Sequence, residues 1–347
     1  MSRFFLSHID RLAGYTPGEQ PRDGGFIKLN TNENPYPPSP RVAEAIAGAL
    51  GDRLRLYPDP VGTAFRRAAA SLHGVDPGMI LAGNGSDDLL TILTRAFVGP
   101  GDAVAYPTPS YILYRTLAEI QGARPVEIPF EADWTLDPSR FARPGVRLAL
   151  VANPNSPSGT IIPPDRLAAL AGTLDCPLVV DEAYVNFADS DAVGLVAALP
   201  NVIVLRTLSK GYSLAGLRLG YLIARPEIVE GLIKVKDSYN CDTLSLVGGA
   251  AALEDRDHLA RTSSMVRATR ARLASAMRGR GYRVPESQAN FVWCTGGPPA
   301  RQAYEALKGR GILVRLMCYP GQADGLRITV GTDEEVDQLL AALRAIG

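Results

Sequence analysis

Cysteine, histidine and tryptophan are scarce, at 4, 3 and 2 of 347 residues. Cys176, Cys241, Cys294 and Cys318 stand far apart in the chain. That spacing offers no CxxC redox pair and no zinc knuckle, so no metal site is expected. A secreted disulfide framework is not expected at this length, and a reducing cytoplasm is the expected location. Neither sign of charge is in excess, with 36 Lys+Arg against 36 Asp+Glu. The balance gives no bulk attraction to nucleic acid or to an anionic membrane, and neither is an expected partner. No apolar run reaches the ~18 residues of a membrane-spanning helix. The opening MSRFFLSHIDRLAG has a short apolar patch broken by Ser7, His8 and Asp10, which is not expected to act as a signal peptide. Internal repeats, low-complexity segments, a GxGxxG fingerprint and a Walker A loop are all missing, which argues against a nicotinamide dehydrogenase or a P-loop enzyme. What is present is ordinary globular material, 46% hydrophobic and 21% charged, enough for a sizeable core and long enough for two domains.

The first 40 residues, rich in Gly, Pro and Asn, read as an irregular arm ending in LNTNENPYPPSP. From Met79 to Ala224, short apolar runs alternate with helical patterns: MILAG, DAVAYP, RPVEIPF, VRLALVANP, PLVVDEAY, NVIVLRTLS and LGYLIA are read as strands. Continuous apolar runs separated by helices predict a mostly parallel α/β sheet covered on both faces. A long arginine-rich helix is predicted from about Leu259 to Gly279. Then come NFVWC, a helix, ILVR, LRITV and a final helix from Asp333 to Ala345, which make a smaller α+β unit. The expected division is an arm over 1–40, a large domain over 41–245 and a small domain over 246–347, with the arm packing on the small one.

Chemistry concentrates at strand ends. Lys210, in RTLSKGYSLAGLR, follows an apolar strand. A lone lysine there is commonly a surface charge, but small hydroxyl residues, glycines and Arg218 surround it. A lysine in a dry pocket beside a cation can lose its proton and attack an aldehyde. Asp181 ends the strand in VVDEAY; it suits a turn cap, or a carboxylate facing a pyridinium nitrogen, with Tyr184 within reach of a ring oxygen. GNGSDD (Gly83 to Asp88) suits a helix start capped by Ser86 or Asp87, or a phosphate site made of helix N-terminal amides. NPNSPSG (Asn153 to Gly159) is a turn that could aim an amide at a ligand. Tyr111, in PTPSY, suits half-buried packing or stacking on a flat ring.

In order and spacing, LNTNENPYPP, YPDP, GNGSDD, NPNSPSG, VVDEAY, RTLSKGYSLAGLRLGY and LRITVGT resemble the class I/II aminotransferases, fold-type I enzymes that use pyridoxal 5′-phosphate. The resemblance runs from about Asn30 to Val330 and extends to the histidinol-phosphate aminotransferase family. It implies a mostly parallel seven-stranded sheet with a smaller C-terminal α+β domain, a homodimer, and pyridoxal phosphate as cofactor. It implies transamination of histidinol phosphate with 2-oxoglutarate, in histidine biosynthesis. By the same resemblance Lys210 is the Schiff-base lysine, Asp181 pairs with the pyridinium nitrogen and Tyr184 bonds the ring oxygen. Gly85, Ser86, Asp87, Thr207, Ser209 and Arg218 surround the cofactor, and Tyr111 stacks on it. Tyr57 reaches the site of the other subunit. Arg327, Arg315, Tyr15 and Asn34 meet the substrate.

Two positions depart from the family pattern. Ser156 stands where an Asn is usual, which passes the ring-oxygen contact to Asn155 or leaves it unmade, and Asp88 stands where a Glu is frequent. Two alternatives keep the cofactor: an aromatic amino acid aminotransferase, and a decarboxylase of the threonine-phosphate type. A non-enzymatic sensing module is disfavoured, because no basic stripe and no added DNA-binding segment is visible.

Overall fold

A computed structural model describes residues 4–12, 18–20, 25–319 and 324–346. Eleven strands are described among them: β1 (Ile27–Leu29), β2 (Ile80–Gly83), β3 (Ala103–Thr108), β4 (Arg124–Pro129), β5 (Val146–Ala152), β6 (Leu178–Asp181), β7 (Val202–Thr207), β8 (Gly220–Ile223), β9 (Phe291–Cys294), β10 (Ile312–Met317) and β11 (Gly325–Thr329). Seven form one sheet in the order β2-β8-β7-β6-β5-β3-β4, and four form another in the order β1-β10-β11-β9.

In the larger sheet β4, β3, β5, β6 and β7 run parallel, and β8 lies antiparallel between β7 and β2. All side chains of β6 and β7 are buried. Their continuous apolar runs follow from helices covering both faces, which leaves no wet face for polar alternation. One core layer gathers Phe65, Val151, Val180, Val204 and Tyr221, and the other Leu90, Leu93, Val179, Leu205 and Leu222. Alternation along β6 and β7 sends neighbouring residues to opposite layers.

The smaller sheet carries its own core, with Leu29, Val292, Leu326, Ile328 and Leu339, against helices Arg256–Gly279, Ala300–Lys308 and Asp333–Arg344. Its edge strand β1 comes from the N-terminal arm and pairs in parallel with β10. The chain does not pass to this unit at residue 246. Helix Thr243–Glu254 places Leu246, Ala252 and Leu253 in the core of the large sheet, so the crossing falls at Asp255. Asp255 caps the next helix through its side chain. A Cβ on Gly249 would come within 2.2 Å of Leu219 and 3.0 Å of Phe65, so glycine lets this helix lie directly against the core.

Candidate active site

The carboxyl ends of β5, β6 and β7 deliver Ala152, Asp181 and Thr207 to one cavity, where open α/β sheets bind ligands. The next loop adds Ser209 and Lys210, helix Ser86–Phe97 adds Ser86 and Asp87, and the small sheet adds Arg315 and Arg327. Gly18, Asn30, Thr31, Asn32, Tyr111, Ser156, Tyr184 and Arg218 complete the lining.

Lys210 donates from Nζ to the Thr31 carbonyl at 3.0 Å. Burial pulls its pKa down to about 8, and Arg327 pushes the same way against the opposing pull of Glu33 and Asp87. A substantial neutral fraction at mildly alkaline pH leaves a lone pair for attack on a carbonyl carbon. Asp181 is the reverse case. Burial raises its carboxyl to about 6, while the Tyr114 hydroxyl (2.7 Å) and the Ala183 N–H (3.2 Å) favour the ionised form. Such a carboxylate gains most from a cation placed against it.

Helix Ser86–Phe97 starts differently from the expected Ser86 or Asp87 cap. Gly85 is the N-cap with φ 87°, and no side chain caps the helix. Its first amide donors therefore face the cavity end without an internal acceptor. A Cβ on Gly85 would sit 2.8 Å from the Arg218 guanidinium, so glycine permits that close approach. Arg218 itself holds a left-handed φ of 50° and donates toward Ser209 Oγ at 3.5 Å. Asp87 accepts from the Tyr111 hydroxyl at 3.2 Å and lies 3.9 Å from Arg218, which ties both to the helix start.

Arg315 and Arg327 are direct cross-strand partners on β10 and β11. Like charges directly opposite one another weaken a sheet. Arg327 donates to Ser156 Oγ at 3.0 Å and the Asn30 carbonyl at 3.3 Å, and lies 5.4 Å over the Phe291 ring. Its buried Nε has no hydrogen-bond partner.

Some expected residues are elsewhere. Asn155 is turned into its own loop, donating to the Pro109 carbonyl and Ser158 Oγ and accepting from Ser110, and it is Ser156 that lines the cavity. Asn34 donates to the Gly211 carbonyl at 3.1 Å and accepts from the Tyr36 N–H, so it fastens the arm and does not line the cavity. Tyr57 is 81% exposed and stacks on Tyr239 at 4.5 Å, away from this chain's cavity. Tyr15 lies outside the described residues. Asp88 receives the Asn84 N–H and the Asn240 amide. Asn32 and Thr31 were missed although they stand in the same LNTNENP stretch, and Tyr114, the partner of Asp181, carries no motif that could have announced it.

Residues 25–343 match the family described as aminotransferase class I and II, and the chain belongs to that family of amino-group-transferring enzymes. Within it the similarity is to histidinol-phosphate aminotransferases. That of Rhodopirellula baltica is 49% identical over 95% of this chain and 92% of its own length. One from a Nostoc species is 46% identical over 99% and 98%. The solved structure of the Sinorhizobium meliloti histidinol-phosphate aminotransferase, in complex with pyridoxal 5′-phosphate, superposes with a TM-score of 0.90, at 29% identity over 100% of this chain and 98% of its own.

Proposed function

We propose that this enzyme uses pyridoxal 5′-phosphate to move the amino group of L-histidinol phosphate to 2-oxoglutarate, giving imidazole acetol phosphate and glutamate in histidine biosynthesis. The observation that carries the substrate is the Arg315–Arg327 pair. Two guanidiniums in register on adjacent strands, both lining the cavity, match one dianionic phosphate better than a lone carboxylate. The γ-carboxylate and α-carboxylate of glutamate would use the same cations in the return half of the cycle.

The cavity suits the cofactor on three counts. An uncapped helix start beside Ser86, Ser209, Thr207 and Arg218 suits its phosphate. Asp181 suits its ring nitrogen, and Tyr111 its ring face. When bound, the cofactor supplies an aldehyde for covalent attachment and a ring that accepts the electron pair of a broken Cα–H bond. Lys210 supplies the amine for attachment. With the cofactor bound, the Lys210 amine, once free, would act as the base that takes and returns the substrate Cα proton. Asp181 would hold the ring cation, the Thr31 carbonyl orients the amine, and the Tyr184 hydroxyl would meet the ring oxygen. Arg315 and Arg327 hold the substrate phosphate, and Ser156 braces Arg327.

The exposed Tyr57–Tyr239 stack, with Leu50, Leu54 and Leu56 also exposed, supports a homodimer in which Tyr57 serves the partner's cavity. Among the described residues no helix is long and apolar enough to cross a membrane; we place the enzyme in the cytoplasm.

The test is the rate with histidinol phosphate against phenylalanine, each with 2-oxoglutarate. Preference for the phosphate substrate is expected. Preference for phenylalanine, or carbon dioxide release without a 2-oxo acid, would overturn the assignment.

A further inference from the structure

Asn32 is 1% exposed and holds a left-handed φ of 58°. All its polar groups have partners. Its N–H donates to Thr329 Oγ1 at 3.0 Å, and the Thr329 hydroxyl donates back to its Oδ1 at 3.0 Å. Its carbonyl accepts from the Asn290 amide at 3.0 Å, and its Nδ2 donates to the Tyr184 hydroxyl at 3.0 Å. The neighbouring Thr31 carbonyl holds Lys210.

A backbone N–H can only donate, so Thr329 Oγ1 must accept from it. That bond alone leaves a second lone pair on the oxygen; it is the buried Thr329 proton that orients the amide, because Asn32 Oδ1 is its one acceptor among the described residues, which leaves the NH2 end facing Tyr184. An amide N–H can meet only a lone pair of the phenol oxygen, so the phenol proton must point somewhere other than Asn32. Asn32 and Tyr184 both line the cavity.

We infer that Asn32 is a positioning residue that sets the polarity of the Tyr184 hydroxyl, making it a hydrogen-bond donor into the cavity, toward the oxygen of the cofactor ring. The inference rests on the cofactor reading above. A donor aimed at that oxygen spreads its negative charge and eases loss of a proton from the nearby Lys210 nitrogen. Charge-assisted bonds of this kind are about twice as strong as neutral ones.

The experiment titrates the visible absorption of the full-length, pyridoxal phosphate-loaded enzyme with pH in Asn32→Asp and Asn32→Gly. Both replacements tolerate the left-handed backbone. Asp keeps the shape and the Thr329 bond but turns the far end into an acceptor for the Tyr184 proton. Gly keeps the backbone and removes the amide. The midpoint is expected to rise by about one pH unit in Asn32→Asp and by less in Asn32→Gly. In a Tyr184→Phe background neither replacement should move the midpoint further. An unchanged midpoint in both variants, or the same shift without the Tyr184 hydroxyl, would overturn the inference. Should Asn32→Asp not fold, Asn32→Gly with and without Tyr184→Phe decides it alone. If the unaltered enzyme takes up pyridoxal phosphate without a visible band that titrates, it is the cofactor reading that fails.

Discussion

The two sides of the cavity are built on opposite electrostatic plans. On the large-sheet side each buried charge near the strand ends is held by a hydrogen bond or an ion pair. Asp181 rests on Tyr114, and Glu182 at 0% side-chain exposure meets Arg206 at 2.7 Å, with Asp191 at 3.1 Å from the same guanidinium. On the small-sheet side two arginines face each other in register with a serine hydroxyl, a carbonyl and an aromatic face as neighbours of one of them. The first side is cross-braced by its own side chains and leaves a helix start and a carboxylate turned to the cavity. The second sets two guanidiniums side by side at the cavity, where an anion could meet both. One is built to keep a resident group, the other to receive and release a visitor.

The strongest way to break the large-sheet side is Lys210→Ala. Turnover should fall by about 10⁴-fold or more, with loss of the visible band of covalently held pyridoxal phosphate, as read by steady-state rates and absorbance. Next is Arg206→Met, which strands the buried Glu182 carboxylate beside Asp191. Denaturant unfolding should show a loss of about 3–5 kcal/mol. The small-sheet side should respond in binding and not in folding. Arg315→Gln should raise KM for histidinol phosphate about 10-fold or more as a charge-assisted contact is lost. An unchanged KM in that variant would erase the contrast between the two sides.

The pH dependence of stability sharpens the comparison further. Lys210 has an ordinary value of 10.5 lowered to about 8, so the native ligand-free protein binds fewer protons than the unfolded chain between those values. Stability should therefore rise with pH across that window, and Lys210→Met should flatten the rise. Asp181 has its carboxyl raised from 3.8 to about 6, so the native state binds more protons there and stability should fall as pH rises from 3.8 to 6. Thermal unfolding of the ligand-free protein through both windows reads the two slopes.

The large sheet was legible because burial on both faces writes an unbroken apolar run, as in PLVVD and VIVLRT, and the residues at the ends of those runs are the ones that reach the cavity. Helix Thr243–Glu254 was not legible. It is apolar on nearly every side and holds Gly248 and Gly249, so it shows no stripe of period 3.6 to mark which unit it packs on. In the arm, Asn32 and Asn34 carry the same side chain, and LNTNENP alone does not tell them apart. What separates them is a left-handed backbone at position 32, held by Thr329 from 297 residues along the chain. Asn155 is a related case, because its amide is bound within its own turn by Pro109, Ser110 and Ser158.

β1 belongs to the small sheet, yet the residue two places beyond it holds the amine of the large one through a carbonyl. A short stretch of chain thus works as a tether between the nucleophile and the arginines. If a phosphate drew the small sheet inward or let it swing away, the tether would travel with it and shift the acceptor on which Lys210 rests. Arrival of cargo at one wall would then be felt at the reactive nitrogen without any contact between the two.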